Sequence, residues 1–172
     1  MQCGWIRIHR SIWEYWTDPY RLGLKGCDLA DFPVEVVDTA EPTILLPVKS
    51  LDTLLRARPD EQKILDLTGQ FHNNLLYAFS CETLHSSTAQ GRMFAPNIGI
   101  PEESATGLAN GALACYLYRH KVAGTAGLVF EQGYVMNRPS EVLARLEVDG
   151  REIRRVSVGG SAIVVGECDI TP

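Results

Sequence analysis

The segment Thr106–His120, which reads TGLANGALACYLYRH, constrains this chain more than any other. Leu108, Ala109, Ala112, Leu113, Ala114, Cys115, Tyr116 and Leu117 leave it almost no polar face, and small residues dominate its first two turns. A helix that is apolar all round is stable in water only when it is buried all round. In a chain of 172 residues, the length of one domain with perhaps an extension, such a helix belongs at the centre with the rest of the chain wrapped around it. The composition allows this. The chain is 45% apolar and 22% charged, ordinary values for a globular protein, and long enough to bury a core without covalent staples.

The wrapping reads as sheet. Val34–Val37 and Thr43–Lys49 have strand character, with Pro47 placing the second at an edge or a bulge. Ser50 caps a helix over Leu51–Arg58, and a second helix over Asp60–Leu67 follows Pro59 and closes at Gly69. Asn74–Ser80 and Gly91–Phe94 are further strands. In the C-terminal third, Glu141–Val148, Arg151–Val158 and Ser161–Glu167 form a meander. Its two-residue turns at Asp149-Gly150 and Gly159-Gly160 set Leu146 opposite Ile153 and Val156 opposite Ile163. The fold class expected is α+β, a curled, barrel-like roll of sheet around one central buried helix. Residues 1–20 stand apart as an aromatic-rich leader holding Trp5, Trp13 and Trp16, which packs on the domain or on a partner.

Several function classes are excluded at once. The net charge is −5, with 8 basic and 12 acidic groups in residues 1–86 and 8 and 9 in residues 87–172, so no half carries a nucleic-acid footprint. Five cysteines at positions 3, 27, 81, 115 and 168, odd in number and without a CxxC, argue against a disulfide framework or a zinc knuckle and for reduced, mostly buried thiols in a cytoplasmic protein. There is no run of 18 apolar residues to span a membrane. The N-terminus lacks the apolar stretch of a signal peptide. His9, His72, His85 and His120 show no metal-ligand spacing.

The loop Gly99–Gly111 is the best candidate for chemistry. It brings glycines and small residues to the start of the apolar helix, where backbone N–H groups and the helix dipole can receive a carboxylate or phosphate. Glu102 and Glu103 stand just before it, where a carboxylate can transfer protons. A structural alternative stays open: Gly107 and Gly111 serve close packing of strand on helix, and Glu103 complements the dipole. Weaker candidates are a Cys81–His85 dyad and the Arg151, Arg154, Arg155 cluster, which reads as a solvated face.

The stretch Arg92–Leu117 resembles the signature of the PhzF-type phenazine-biosynthesis isomerases, whose core has the form E-D-P-A-T-G-S-A-N-G. Pro42–Leu51, Glu131–Ser140 and Val158–Val165 agree with further segments in the same order, so the resemblance runs from about Leu22 to Asp169. It implies one lobe, the C-terminal half, of a diaminopimelate-epimerase-like fold over residues 21–172. It also implies cofactor-independent proton-shift chemistry on a small carboxylate-bearing substrate held between two lobes. Carried over position by position, Glu103 takes the place of the family's Asp as catalytic acid, and Thr106, Gly107, Leu108 and Ala109 bind substrate. The chain departs from the pattern at Glu103 for Asp, Ser104 for Pro, Leu108 for Ser and Ala40 for Gly. The resemblance lacks the N-terminal half with its catalytic Glu. Activity then calls for a second lobe, from a complementary chain or from a homodimer. The alternatives are a non-catalytic binding or structural protein that kept the fold, or a truncated product of a longer gene.

Overall fold

The computed structural model describes residues 7–8, 19–70 and 75–168. Over these residues the chain forms one nine-stranded sheet and three α-helices, with four short 3-10 turns between them. The strands are β1 (Arg7–Ile8), β2 (Glu35–Asp38), β3 (Pro42–Pro47), β4 (Leu75–Ser80), β5 (Ala89–Ala95), β6 (Ile100–Glu103), β7 (Leu128–Gln132), β8 (Ser140–Asp149) and β9 (Glu152–Gly159). They lie in the order β1-β2-β3-β4-β5-β7-β8-β9, with β6 paired to β5 off that path. The helices are α1 (Leu51–Arg56), α2 (Glu61–Gln70) and α3 (Gly107–Arg119).

Two parallel pairs decide where the helices go. β3 and β4 are parallel and enclose α1 and α2, and β5 and β7 are parallel and enclose β6 and α3. Because β4 and β5 run antiparallel, two crossovers of the same hand carry their helices to opposite faces of the sheet. The strands alternate accordingly. Leu45, Tyr77, Phe79 and Met93 face α3, whereas Ile44, Leu46, Leu76, Ala78 and Phe94 join Leu54, Ile64 and Leu67 beneath α1 and α2. Ala109 to Leu117 are all buried, so the central helix is where its all-round apolarity requires.

Local signals explain most boundaries. Ser50 Oγ accepts the Thr53 N–H at 3.1 Å and caps α1, and Asp60 Oδ1 accepts the Lys63 N–H at the same distance at the start of α2. Gly69 does not close α2 but lies within it, because the helix runs on to Gln70. Pro47 sits at the end of an interior strand, not an edge. Its carbonyl accepts the Ala30 N–H, so its nitrogen faces the same side, beyond the last β2 pairing, and no ladder bond is lost. The β8–β9 hairpin turns one residue later than expected. Asp149 stays in the ladder opposite Glu152, Gly150 adopts φ +62°, and a bulge beside Val148 puts Leu146 opposite Val156. That register keeps Val142, Ala144 and Leu146 on the buried face. The third strand of the meander is absent: 161–168 is irregular and exposed throughout, so Ile163 has no partner on β9.

Cys115 is the one buried thiol among the described residues. Cys27, Cys81 and Cys168 are exposed, in a turn, at a strand end and in the irregular tail, which corrects the expectation of mostly buried cysteines. Trp5, Trp13, Trp16, Cys3, His9 and His72 lie outside the described residues. Of the leader, β1 pairs its backbone antiparallel with β2, Arg7 opposite Asp38. No helix among the described residues is long and apolar enough to cross a membrane.

Candidate functional site

β6 delivers the two glutamates, and the structure separates their roles. Glu102 forms a two-pronged ion pair with Arg92, Nε to Oε1 and Nη2 to Oε2, both at 2.9 Å. Arg92 is 4% exposed and its Nη1 also donates to the Leu54 and Ala57 carbonyls at the end of α1, at 3.1 and 2.8 Å. Glu102 is thus a structural counter-ion that ties the face beneath α1 to β6. Glu103 is half-buried at the entrance to α3. Its Oε1 accepts the Ser104 N–H at 2.7 Å and the Ser104 hydroxyl at 3.3 Å, and its Oε2 has no hydrogen bond among the described residues.

The loop between Glu103 and α3 is clamped from below by a buried polar network. Gln132, fully buried, donates through Nε2 to the Glu103 carbonyl at 2.7 Å and to Thr106 Oγ1 at 3.1 Å. Its Oε1 accepts from Asn110 Nδ2 at 2.9 Å and from the Tyr77 hydroxyl at 3.4 Å. Asn110 also donates to the Thr106 carbonyl at 2.9 Å and accepts from Tyr77 at 2.8 Å. Burial raises the Tyr77 hydroxyl well above its usual range, so it stays protonated and serves as donor. Tyr77 fits only because position 91 is glycine: a Cβ there would lie 2.2 Å from its ring. Gly133 holds φ +85° with no room for a Cβ, which would meet the Arg138 carbonyl at 2.2 Å and the Ser104 carbonyl at 2.9 Å. Ser140 Oγ donates to that same Ser104 carbonyl. Thr106 occupies the cap position of α3, but its hydroxyl makes no capping bond and instead accepts from Gln132.

Gly107, at the start of α3, lines a cleft of about 510 Å³ together with Ala105, Ser140, Glu141, Gly159 and Gly160 among others, whereas Glu103, Thr106, Leu108 and Ala109 are not part of that lining. No side chain among the described residues accepts from the Gly107, Leu108 or Ala109 N–H, the groups a helix start leaves unpaired. Leu108 is 49% exposed and Ala109 is buried, so the four predicted binding positions share one turn but differ in access. The packing role of the glycines also holds. A Cβ on Gly107 would lie 3.3 Å from Val158 and one on Gly111 3.5 Å from the same side chain, so β9 crosses α3 closely there.

The weaker candidates do not assemble. The His85 ring stacks at a tilt on Tyr134, its backbone N–H donates to Glu131, and no hydrogen bond joins it to Cys81. Arg154 pairs with Asp149 and Glu152, and Arg155 with Glu147, all exposed, as a solvated face does. Among the described residues no three His, Cys, Asp or Glu side chains converge as metal ligands. Sequence reasoning missed Tyr77, Arg92 and Gln132. The available signal was the placement of polar Asn110 inside an otherwise apolar helix, which requires buried partners.

Comparison with known proteins follows the same lines. Residues 12–168 match the PhzC-PhzF family, described as phenazine biosynthesis-like protein. An uncharacterized isomerase of Clostridium acetobutylicum is 32% identical over 155 residues, covering 87% of this chain and 51% of its own. A trans-2,3-dihydro-3-hydroxyanthranilate isomerase of Pseudomonas aeruginosa is 30% identical over 160 residues, covering 90% of this chain and 54% of its own. In fold, a Bacillus anthracis phenazine biosynthesis protein of the PhzF family superposes with TM-score 0.82 at 22% identity, over 100% of this chain and 60% of its own. A predicted epimerase from Pseudomonas aeruginosa superposes with TM-score 0.67 at 25% identity, over 95% of this chain and 57% of its own. The chain spans about half the length of the curated relatives it matches.

Proposed function

Because the chain belongs to the phenazine biosynthesis-like protein family, we propose that it supplies one lobe of a PhzF-like isomerase that shifts a proton within a small carboxylate-bearing substrate. The substrate carboxylate accepts from the Gly107, Leu108 and Ala109 N–H groups, where the α3 dipole favours negative charge. Glu103, through its free oxygen, and the Glu that the resemblance places in the second lobe share the acid–base work. A proton leaves one substrate carbon, exchanges with solvent on a carboxyl group, and a proton is delivered to another carbon, so the reaction is neutral overall and needs no cofactor. The Tyr77–Asn110–Gln132 network holds the Glu103 backbone and Thr106 in place during that transfer, and a second lobe over the cleft excludes water. Leu108, where the signature that the chain resembles has Ser, stands half exposed beside those N–H groups and favours an apolar group next to the carboxylate.

One observation carries this reading: of the two adjacent glutamates, Glu102 is locked by Arg92 while Glu103 keeps an unengaged oxygen at the mouth of α3. The test is proton NMR in D₂O with trans-2,3-dihydro-3-hydroxyanthranilate, the compound in the name of the Pseudomonas aeruginosa relative. The chain is assayed with a complementary half supplied. Isomerised product carrying solvent deuterium at the shifted position is expected. An assembled two-lobe protein that binds the compound without exchanging any proton contradicts the reading. That outcome favours a non-catalytic binding protein, for which the engagement of Glu103 Oε1 by Ser104 is the supporting observation.

A further inference from the structure

Three charged side chains are buried among the described residues: Glu35, Arg92 and Glu131. Such groups leave water only when paired. Glu35 has His120 at 3.1 Å, and Arg92 has Glu102 at 2.9 Å. Glu131, 3% exposed, forms no ion pair among the described residues. Its Oε1 accepts the His85 N–H at 3.0 Å, but its Oε2 is buried without a hydrogen-bond partner, and so is Gln90 Oε1. The two oxygens belong to neighbours. Gln90 and Glu131 stand opposite each other on the parallel strands β5 and β7, so their side chains leave the sheet on one face. Ser80 stands opposite Gln90 on β4, and Glu141 opposite Glu131 on β8. This row shares the face from which Arg92 reaches α1 and lies behind the face on which Gln132 meets Asn110 of α3. The loop 81–88 is fastened to it, with the Glu82 N–H on Ser80 Oγ at 3.0 Å and the His85 N–H on Glu131.

We propose that Glu131 Oε2 and Gln90 Oε1 hold an alkali cation, Na⁺ or K⁺, between β5 and β7. Two acceptors cannot hydrogen-bond to each other, and each is costly to bury alone. A cation between them satisfies both and neutralises the carboxylate. The donors are hard oxygens with no nitrogen or sulfur, which suits an alkali or alkaline-earth ion and not a transition metal. Charge decides between those two. One carboxylate and one monovalent ion sum to zero, whereas a divalent ion would leave a net positive charge buried. Ser80 Oγ accepts from Glu82 and keeps a second lone pair, so it can add a third ligand beside Gln90. Water and main-chain carbonyls of the loop 81–88 complete the shell. Exposed Glu141, next to Glu131 on β8, adds negative potential. Burial and the charges of Glu131 and Glu141 push the Tyr134 hydroxyl above its ordinary value, in keeping with a negative region on that side. The site shares no residue with the Glu103 loop, and the proposal stands apart from catalysis.

The test melts the full 172-residue chain in KCl, NaCl, CaCl₂ and choline chloride at matched ionic strength, beside Glu131→Gln. That variant keeps an acceptor for the His85 N–H and removes the charge. The native Tm is expected to climb saturably in KCl or NaCl, by about 3–6 °C over choline chloride at roughly tenfold the apparent Kd. Whichever of the two salts acts at the lower concentration identifies the ion. Glu131→Gln is expected to melt alike in all four salts, and in choline chloride no lower than the native chain. A crystal structure grown in the active salt should place the ion against both Glu131 Oε2 and Gln90 Oε1. Should the variant not fold, the native salt series and the crystal structure decide without it. Equal native Tm in all four salts, a gain in CaCl₂ alone, or a gain that persists in Glu131→Gln would each overturn the proposal. So would a crystal structure in which the Gln90 amide is turned round and its nitrogen donates to Glu131 Oε2.

Discussion

Replacing Gln132 by Met tests whether the buried network sets the position of the Glu103 loop. The change keeps length and volume but removes two donated hydrogen bonds and two accepted ones, from Asn110 and from the Tyr77 hydroxyl. One Asn110 N–H is then orphaned in a fully buried site, and the Glu103 carbonyl loses its 2.7 Å partner at a half-buried one. At about 1–3 kcal/mol for each unsatisfied buried group, the expected loss is about 3 kcal/mol. In a domain of this size each kcal/mol lowers Tm by about 2–4 °C, so the melting point should fall by roughly 6–12 °C. Urea unfolding followed by circular dichroism should show a lower midpoint with an unchanged m-value. Hydrogen exchange at 103–106 should quicken more than elsewhere. Thr106→Val, which orphans only one Gln132 N–H, should cost about 1–2 kcal/mol, less than Gln132→Met. A Gln132→Met variant within about 0.5 kcal/mol of the native chain, the ordinary range of surface changes, would refute the clamp.

Arg92→Met should destabilise by about 3–5 kcal/mol, read by the same unfolding curves, because it strands Glu102 without its counter-ion and frees two carbonyls at the end of α1. Burial pushes the Cys115 thiol up to about 12, so at pH 8 a thiol reagent should label Cys27 and Cys168 in the native protein and reach Cys115 only on unfolding. The Lys25 N–H, with Arg56 beside it, holds the Asp28 carboxyl below its ordinary 3.8. Its contribution is therefore fully present above pH 3.8 and is lost as pH falls through the lower folded value. Asp28→Asn should flatten that acid limb of stability against pH.

The central helix was legible because a segment with no polar face admits one environment, and the alternation of Ile44, Leu45 and Leu46 is that of a strand covered on both faces. The hairpin register was not legible. Asp149-Gly150 signals a tight turn, but whether Asp149 remains in the ladder depends on the bulge that returns Leu146 to the core. The run 161–167 has the composition of a strand, and nothing local reveals that this lobe provides no place for it. Within the site, Glu102 and Glu103 look equivalent in sequence. Only the fold brings Arg92 from the adjacent strand to claim one of them. Gln132 and Tyr77 lie 29 residues after Glu103 and 33 before Asn110, so their meeting is tertiary.

The most direct measurement of the Glu103 assignment compares deuterium incorporation by Glu103→Gln, Glu103→Asp and Glu102→Gln in the assembled two-lobe protein. Glu103→Gln should slow exchange by about 10²–10⁴-fold, the usual contribution of a positioned acid–base group. Glu103→Asp should retain most of the rate, and Glu102→Gln should lower stability with little change in rate per folded molecule. Exchange that survives Glu103→Gln but vanishes in folded Glu102→Gln would contradict the assignment.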